Sequence, residues 1–542
     1  MPAPLPLLRL LAPLLALLVL SACAPRETRV EEGLRTGTLH RGIGPDLSDL
    51  DPHLASSLGD IHVLSSLFEG LVGEHPRTLA PVPGVATRWE ASADGLLYIF
   101  HLRPEARWSD GRPLVAGDFV GSLRRALTPG LAAPNAALLY PVLNAEAYHK
   151  RRLDDFSAVG ISAPDTHTLR IALEYPAPHF LSLLTHPVWY PVPLHAIAAN
   201  GAPEERGNRW ASDPATFVGN GPFVLRQWRR GQFIEVQAAP TYWDAATVSL
   251  RAVRFHAFDG VEAEERAYRS GQLHVTESLP AGRVEAWRAE QPGQLRTDPF
   301  LDTYFYRLNT ARPHLSDVRV RRALSLALDR ERLVSALLRG GQSPATAFVP
   351  PGTGGYQPPA LLRHDLAAAR ALLAEAGYPE GRGLPVFDLL YNTSENHRRI
   401  AEAVQQQWRA LGIQIRLVNQ ENAVIQEARR SGDFEILRSS WVADFDDPIS
   451  FLSIFTKDDA NNFTGWSDPR YDHALNAAAR TSDPAARHAL LRDAETVLLD
   501  AAPILPLYVN THVFLLHPSV RGWYPTLLDR HPLKHVTLQP VD

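Results

Sequence analysis

The sequence predicts an α/β protein built on open sheets with right-handed crossovers. Strand-like and helix-like segments alternate through the second half of the chain, the pattern of β–α–β units. The chain has 542 residues, far more than one small core needs. At roughly 100–200 residues per domain, two to four lobes are expected. Composition is that of a globular protein, 45% apolar and 21% charged.

The elements follow in chain order. "LLYIFHLR" (96–103) is apolar and aromatic behind the turn signal Asp94-Gly95, and reads as a strand. "SDVRVRRALSLALDRERLVSALL" (316–338) has helical apolar spacing, with Ser316 as its N-cap. "HDLAAARALLAEAGY" starts at Asp365 and stops at Gly377. "LPVFDLLYNTS" is a strand running into a polar loop. "HRRIAEAVQQQWRALG" is a helix closed by Gly412, followed by the strand "IQIRLV". "SDPAARHALLRDAETVLLDAA" places Pro484 at the first helical position behind an Asp483 cap. The 45 prolines concentrate in connections such as "PVPGVA" and "VPPGTGGYQPP", the latter read as a long exposed loop. No repeat of fixed period is visible.

Residues 1–22 read as a signal peptide. Their apolar core, residues 10–20, is too short to span a bilayer. "LSAC" resembles a bacterial lipobox, which would make Cys23 the acylated mature N-terminus. Ordinary cleavage after Ala24 is the alternative. Cys23 is the only cysteine, so an internal disulfide is excluded despite the exported setting.

Charge and motifs exclude several classes. The formal net charge is −5, and loss of Arg9 with the leader takes it to −6. A mildly acidic chain lacks the basic footprint that nucleic acid requires. Lysine occurs only at Lys150, Lys457 and Lys534, none of them after a glycine, so no P-loop exists. There is no G-x-S-x-G elbow, no H-E-x-x-H and no G-x-G-x-x-G between strand and helix. The 21 histidines are scattered, without zinc-ligand spacing, and those beside prolines (His53, His75, His186) read as surface or hydrogen-bonded groups.

One stretch needs a chemical explanation. "WVADFDDPISF" (441–451) sets Asp444, Asp446 and Asp447 among aromatic residues. Crowded carboxylates in apolar company need a metal, a basic side chain or a cationic ligand. An EF-hand is excluded, because the central glycine and the distal glutamate are missing.

Several stretches occur together and in order. They are "LDPHLASSLGDIHVLSSLFEGL", "RWSDGRPLVAGDFV", "VGNGPFVLRQW", "YWD", "YRSGQL", "DVRVRRALSLALDR", "AAARALLAEAGY", "FDLLYNTSENHRRIAEAVQQQW" and "WVADFDDPISFL". In these the chain resembles the family 5 extracellular solute-binding proteins, and among them the periplasmic oligopeptide binders that serve ABC importers. The resemblance covers nearly all of the mature chain.

The resemblance implies a periplasmic binding protein-like type II (cluster C) fold, with two large α/β lobes, a hinge and a third, inserted lobe. Lobe I takes residues 36–74, 195–300 and 515–542. The inserted lobe II takes 75–194 and lobe III 301–514. It implies a monomer that captures oligopeptides and passes them to permease subunits with separate ATPases. No catalysis, cofactor, metal or nucleic acid is implied. The protein would be periplasmic, held to a membrane through Cys23.

Site residues follow motif by motif. Asp444 stands where the family's aspartate pairs with the peptide α-amine. Arg438, His397 and Arg312 stand where cationic groups receive C-termini of different lengths; Arg312 replaces a lysine. Ser440, Trp441 and Val442 would offer backbone partners to an extended peptide. Asn461 would line a wet side-chain pocket. Each has a competing structural reading: an ion pair for Arg438, core packing for Trp441, a helix-start cap for His397. Asp446 and Asp447 read as capping or turn acids.

The chain departs from the family at Ser56, Asn135, Glu277 and Ser278. Asp302 and Val442 occupy the positions of a disulfide found in some relatives. These changes leave ligand length and side-chain preference open. Murein-peptide binding is a variant of the same reading. A peptide-sensing or chaperone lipoprotein is the alternative of another class, and a metal-free peptidase a third.

Overall fold

The computed structural model describes residues 27–338 and 340–541. The expected signal peptide, residues 1–22, and Cys23 lie outside the described residues.

The described chain opens with a helix, Arg29–Thr36, followed by strand β1 (Thr38–Gly42). A short hairpin, β2 (Val72–Glu74) and β3 (Pro81–Pro83), leads into an antiparallel sheet. That sheet contains β4 (Ala86–Ala91), β5 (Leu97–Leu102), β6 (Ile161–Asp165) and β7 (Thr168–Ala172), in the order β4-β5-β7-β6. Its β5 is the strand expected from "LLYIFHLR". Phe100 and Leu102 of β5 are buried with Phe119 and Leu123 of the helix Ala116–Leu127. The 119/123 spacing puts both side chains on one helix face.

The chain then returns to the first sheet. Strands β8 (Phe223–Arg229), β9 (Phe233–Ala238) and β10 (Ala252–His256) give the order β1-β10-β9-β8, with β1 parallel to β10.

The second large sheet is mixed. It comprises β11 (Leu295–Leu308), β12 (Ser343–Pro344), β13 (Phe387–Asn392), β14 (Ile415–Gln420), β15 (Ile436–Val442) and β16 (Ile504–Leu515). Their order is β12-β16-β11-β15-β13-β14. Period-two alternation along β11 feeds two cores. Tyr304, Tyr306 and Leu308 pack against Ile400, Val404 and Trp408 of the helix Glu395–Arg409. Leu301 and Phe305 face Phe348, Phe451, Phe455 and the helix Pro484–Ala501.

Strands β11 and β16 run on past this sheet. Their upper halves pair Thr303–Arg307 with 504–509, and their lower halves pair 295–299 with 511–515. The register shifts between Pro299 and Thr303. Such irregularities bend a ladder locally. At the lower end Phe514 and Leu516 enter the core of the β1 sheet. Two continuous strands therefore join the two large sheets.

Most helix ends fall where caps predict them: Asp365 caps Leu366–Glu375, and Asp483 caps Pro484–Ala501. Three expectations are corrected. The N-cap of the helix Val318–Leu326 is Asp317, whose carboxylate accepts from Arg319 N, not Ser316. That helix also stops at Leu326, and a new turn starts behind Asp329 before a π-helical segment, Leu333–Leu338. The "VPPGTGGYQPP" loop is not simply exposed. Thr353 and Tyr356 are fully buried, and the Tyr356 hydroxyl donates to Glu495 at 2.8 Å. Glu495 also accepts from Phe348 N and Val349 N, which satisfies backbone that the loop would otherwise leave unpaired.

Candidate functional site: an open strand edge with opposite charges at its ends

The site is built on β15. On one side β15 pairs with β11 along its whole length, from Asp302↔Val442 to Leu308↔Ile436. On the other it pairs with β13 only at Leu389↔Ile436 and Leu390↔Leu437. Strand β13 ends at Asn392, and the chain turns into the helix capped by Ser394. Residues 438–442 therefore keep one edge free of any strand.

Alternation decides which backbone groups face that edge. Ala443 N donates to Leu301 O of β11. By the two-residue period, residues 441 and 439 also turn their backbone to β11, whereas 438, 440 and 442 turn theirs outward. Ser440 and Val442 thus present donors and acceptors to the open edge. Trp441 does not. Its indole N–H donates to Ser450 O at 2.7 Å, and its ring packs partly on the core beneath the sheet.

Asp444 follows the strand. Its backbone N–H donates to Ser450 Oγ, and its backbone carbonyl accepts from Arg530. Among the described residues no side chain hydrogen-bonds its carboxylate. Burial pushes the Asp444 carboxyl up to about 6; Arg530 lowers it and Asp459 raises it by smaller amounts.

The neighbouring acids have partners. Asp447 accepts a bidentate pair from Arg487 at 2.7 and 2.8 Å and caps Ile449 N. Burial alone would raise Asp447, but His179 and Arg487 bring it below the ordinary carboxylate range. It is therefore a buried ion pair as well as a turn acid. Asp446 accepts from Gly354 N at 2.7 Å. Phe445 stacks on His179 at 5.3 Å and enters the core of the β4–β7 sheet. Arg530 also donates to Glu74 and Thr185. The 444–447 turn is thus fixed from three parts of the molecule while the Asp444 carboxylate stays unpaired.

Arg438 lies at the other end. Its guanidinium sits 4.7 Å from the Tyr304 ring, with hydrogen bonds of 3.5 Å to Asn392 Oδ1 and 3.3 Å to Ser440 Oγ. No carboxylate pairs with it among the described residues, and its Nε is buried without a partner. The expected alternative, an ion pair, is not what the structure shows. His397 lies beside it, 3.3 Å from the Tyr304 hydroxyl. Burial and the nearby Arg438 push the His397 imidazole down to about 3, so the ring is neutral in the free site rather than cationic. Ser394 is the cap of this helix, and His397 N is the group it caps.

The structure does not bring Arg312 to this cluster. Arg312 donates to Gly432 O, Phe434 O and Asp433 Oδ1. Asn461 gives its backbone carbonyl to Arg307 at 2.8 Å and is half-buried.

The residues at departures from the family also have places. Asp302 stands directly across from Val442; Asn510 donates to its Oδ2 at 3.0 Å, and its Oδ1 is buried without a partner. Asn135 donates to Ala55 O, and Ser56 N to Asp60. Glu277 belongs to a cluster that sequence reading missed. His62, Glu277 and Asp529 bring potential ligand atoms within 4.8 Å of one another. Arg41 sits among them, 2.7 Å from His62 Nδ1 and 3.5 Å from Glu277 Oε2. A guanidinium already at the centre makes this an ion network in preference to a cation site. Glu277 and Asp529 are hundreds of residues from His62 and from each other, so no spacing could have signalled it.

Residues 80–463 match the family model described as bacterial extracellular solute-binding proteins, family 5, middle. The chain belongs to this family. It is 35% identical to the periplasmic murein peptide-binding protein MppA of Escherichia coli over 494 residues, 90% of each chain. It is 35% identical to the periplasmic oligopeptide-binding protein OppA of Salmonella typhimurium over 505 residues, covering 90% of this chain and 89% of that one. It is also 36% identical to the probable deoxycholate-binding periplasmic protein YgiS of E. coli over 486 residues, 88% and 89% of the two chains.

The fold is the type II periplasmic binding fold, with two large lobes, a hinge and an inserted lobe. The E. coli murein tripeptide binding protein overlays with a TM-score of 0.83 at 34% identity, over 92% of this chain and 98% of that one. Its unliganded open form gives 0.71, at 34% identity over 93% and 97%. The lobes are therefore disposed less like the open form.

Proposed function

We propose that this chain captures oligopeptides between its two large lobes, with little sequence selectivity, and delivers them to the permease of an ABC importer with separate ATPase subunits. One observation carries the reading. A strand edge with free backbone groups at Ser440 and Val442 lies between an unpaired cation, Arg438, and an unpaired anion, Asp444. An extended peptide supplies the complement to all three: backbone amides, a terminal carboxylate and a terminal ammonium. Backbone pairing is blind to side chains, which supports broad selectivity. The six steps from residue 438 to residue 444 span about 20 Å at roughly 3.3 Å each. Allowing for the reach of the Arg438 and Asp444 side chains, that suits peptides of about three to five residues.

His397 is a second carboxylate acceptor in this reading. Its neutral ring would gain a proton when a carboxylate arrives. Arg312 would serve only if a ligand displaced Asp433, and Asn461 would contact side chains through water. The lobes are taken as 36–74, 195–300 and 515–542; 75–194; and 301–514. This division is supported by separate cores around the β1, β4–β7 and β11–β16 sheets. The protein would act without chemistry, as a monomer held at the membrane by acylated Cys23. Among the described residues no helix is long and apolar enough to cross a membrane.

The test is to purify the protein natively, denature it and identify the released ligands by mass spectrometry. Mixed short peptides are expected. Murein-type peptides alone would narrow the function to the relative's specialised ligand. A bile acid, a sugar or an empty site in repeated preparations would refute peptide capture.

A further inference from the structure

A second concave site lies on the β1 sheet, away from the 438–444 edge. It is a cavity of about 490 Å³ whose lining includes Arg29, Arg229, Arg254, His256, Gln227 and Gln232, and no carboxylate. Arg254 is held from behind by Glu235, which accepts from its Nε at 2.7 Å. For the other two cations no salt bridge forms among the described residues, although Glu32 acts on Arg29 at longer range. Arg29 Nη1 lies 3.3 Å from His256 Nδ1, and Arg229 lies 5.5 Å from the Phe233 ring. Neither forms an ion pair among the described residues.

His256 supplies no negative charge either. It is buried, and its Nε2 is 3.0 Å from His40 Nδ1, while His40 N donates to His274 Nδ1. No acid takes part in these contacts, and only the His40 and His256 rings are joined directly. Burial and the flanking arginines hold His256 at about 3, so it is a neutral acceptor for Arg29. Partial burial and Arg254 hold the Arg29 guanidinium below its ordinary range, and Glu32 opposes them by a smaller amount. Like charges are thus gathered in a concave place, Arg29 and Arg229 exposed and Arg254 half-buried, with Glu235 behind Arg254 and Glu32 near Arg29. Such an arrangement lacks an anion.

We propose that this pocket binds a phosphate-class oxyanion. Guanidinium forks match tetrahedral oxyanions through paired N–H donors, and a phosphate has enough oxygens for three of them. The amides of Gln227 and Gln232 supply further donors without adding charge. The source of the phosphate is either a free phosphate ester or ion or a phospholipid headgroup. Chain length permits the headgroup. Arg29 is six residues after Cys23, at most about 20 Å along an extended chain. A pocket that close to an acylated cysteine would fix the orientation of the protein on the bilayer.

The test uses the chain as the cell processes it. Calorimetry is run with inorganic phosphate and, separately, with dihexanoylphosphatidylglycerol below its micelle concentration, each against sodium chloride at equal ionic strength. Saturable binding is expected, at least about tenfold weaker in an Arg29→Gln/Arg229→Gln variant, as loss of charge-assisted bonds requires. Peptide affinity is expected to stay unchanged in that variant, which separates this site from the peptide site. An Arg29→Lys/Arg229→Lys variant should recover part of the binding. Tighter binding of the phospholipid assigns the headgroup as ligand, and tighter binding of inorganic phosphate assigns the free anion. No saturable binding beyond the chloride control, or equal phosphate affinity in wild type and the glutamine variant, overturns the proposal.

Discussion

Peptide binding by this protein should release protons, and Asp444 should be their source. In the free site the Asp444 carboxyl is pushed up to about 6 from an ordinary 3.8. Holding the ionised form there costs about 2–3 kcal/mol, at roughly 1.4 kcal/mol per pH unit. Screening at the cleft side favours the lower figure. A bound ammonium removes the reason for the rise, so the carboxyl falls below its free-site value. Free Asp444 carries about half a proton at pH 6 and about a tenth at pH 7. Binding must expel it. Affinity is therefore complete well above pH 6 and falls about tenfold per pH unit below it, until the pKa of the bound state is reached. His397 works in the opposite direction, because a carboxylate would raise its imidazole and draw a proton in. The difference between wild type and Asp444→Asn isolates the aspartate. Calorimetry of one neutral-side-chain peptide, in two buffers of different ionisation enthalpy at pH 6, measures both. The wild type should release about half a proton more than Asp444→Asn, and the variant should bind at least about a hundredfold more weakly. The empty variant should unfold at a higher temperature than the empty wild type at pH 7.5, since an unpaired buried charge is gone. Equal proton release in the two proteins, or undiminished affinity in the variant, would refute the amine-receptor role.

Three further outcomes follow from the same geometry. Asp302 is 5% exposed, and burial pushes it up to about 6. A raised acid binds its proton more readily in the folded state, so its contribution to stability falls as pH rises from about 4 to 6; Asp302→Asn should stabilise the fold by about 2–3 kcal/mol at pH 7.5 and not at pH 4, by denaturant melts. Val442→Pro removes an N–H that faces the open edge and leaves the β11 ladder intact, so peptide affinity should drop several-fold with little change in melting temperature; a large fall in melting temperature would place that N–H inside the sheet. Arg487→Met strands the Asp447 carboxylate beside His179 and should cost about 3 kcal/mol or more, measured by urea unfolding, whereas a loss under 1 kcal/mol would show the pair to be solvated.

The sequence was informative wherever the cause was local. Caps at Asp365 and Asp483, the strand at 97–102 and the helix carrying Ile400, Val404 and Trp408 are short-range patterns, and each appeared where the pattern put it. The cap at Asp317 shows the limit of that reading. Ser316 and Asp317 are both good caps, and only the placement of the chain against its neighbours chose between them. The "VPPGTGGYQPP" loop shows it again, because its Tyr356 is buried by a partner, Glu495, 139 residues away.

The candidate site divides along the same line. The acids of "WVADFDDP" are visible in the sequence, and resemblance to a family points to Asp444 among them. Their separation into one unpaired carboxylate and two partnered ones required Arg487, His179 and Gly354, which arrive from distant segments. The open edge of β15 cannot be read from β15. It exists because β13 stops at Asn392, and because alternation turns Ser440 and Val442, but not Trp441, away from β11. Local preference determines which residues form strands and helices, since it depends on neighbours along the chain. Whether a charge or a backbone group is left without a partner depends on what the fold brings to it or withholds, and the proposed peptide site rests on that vacancy.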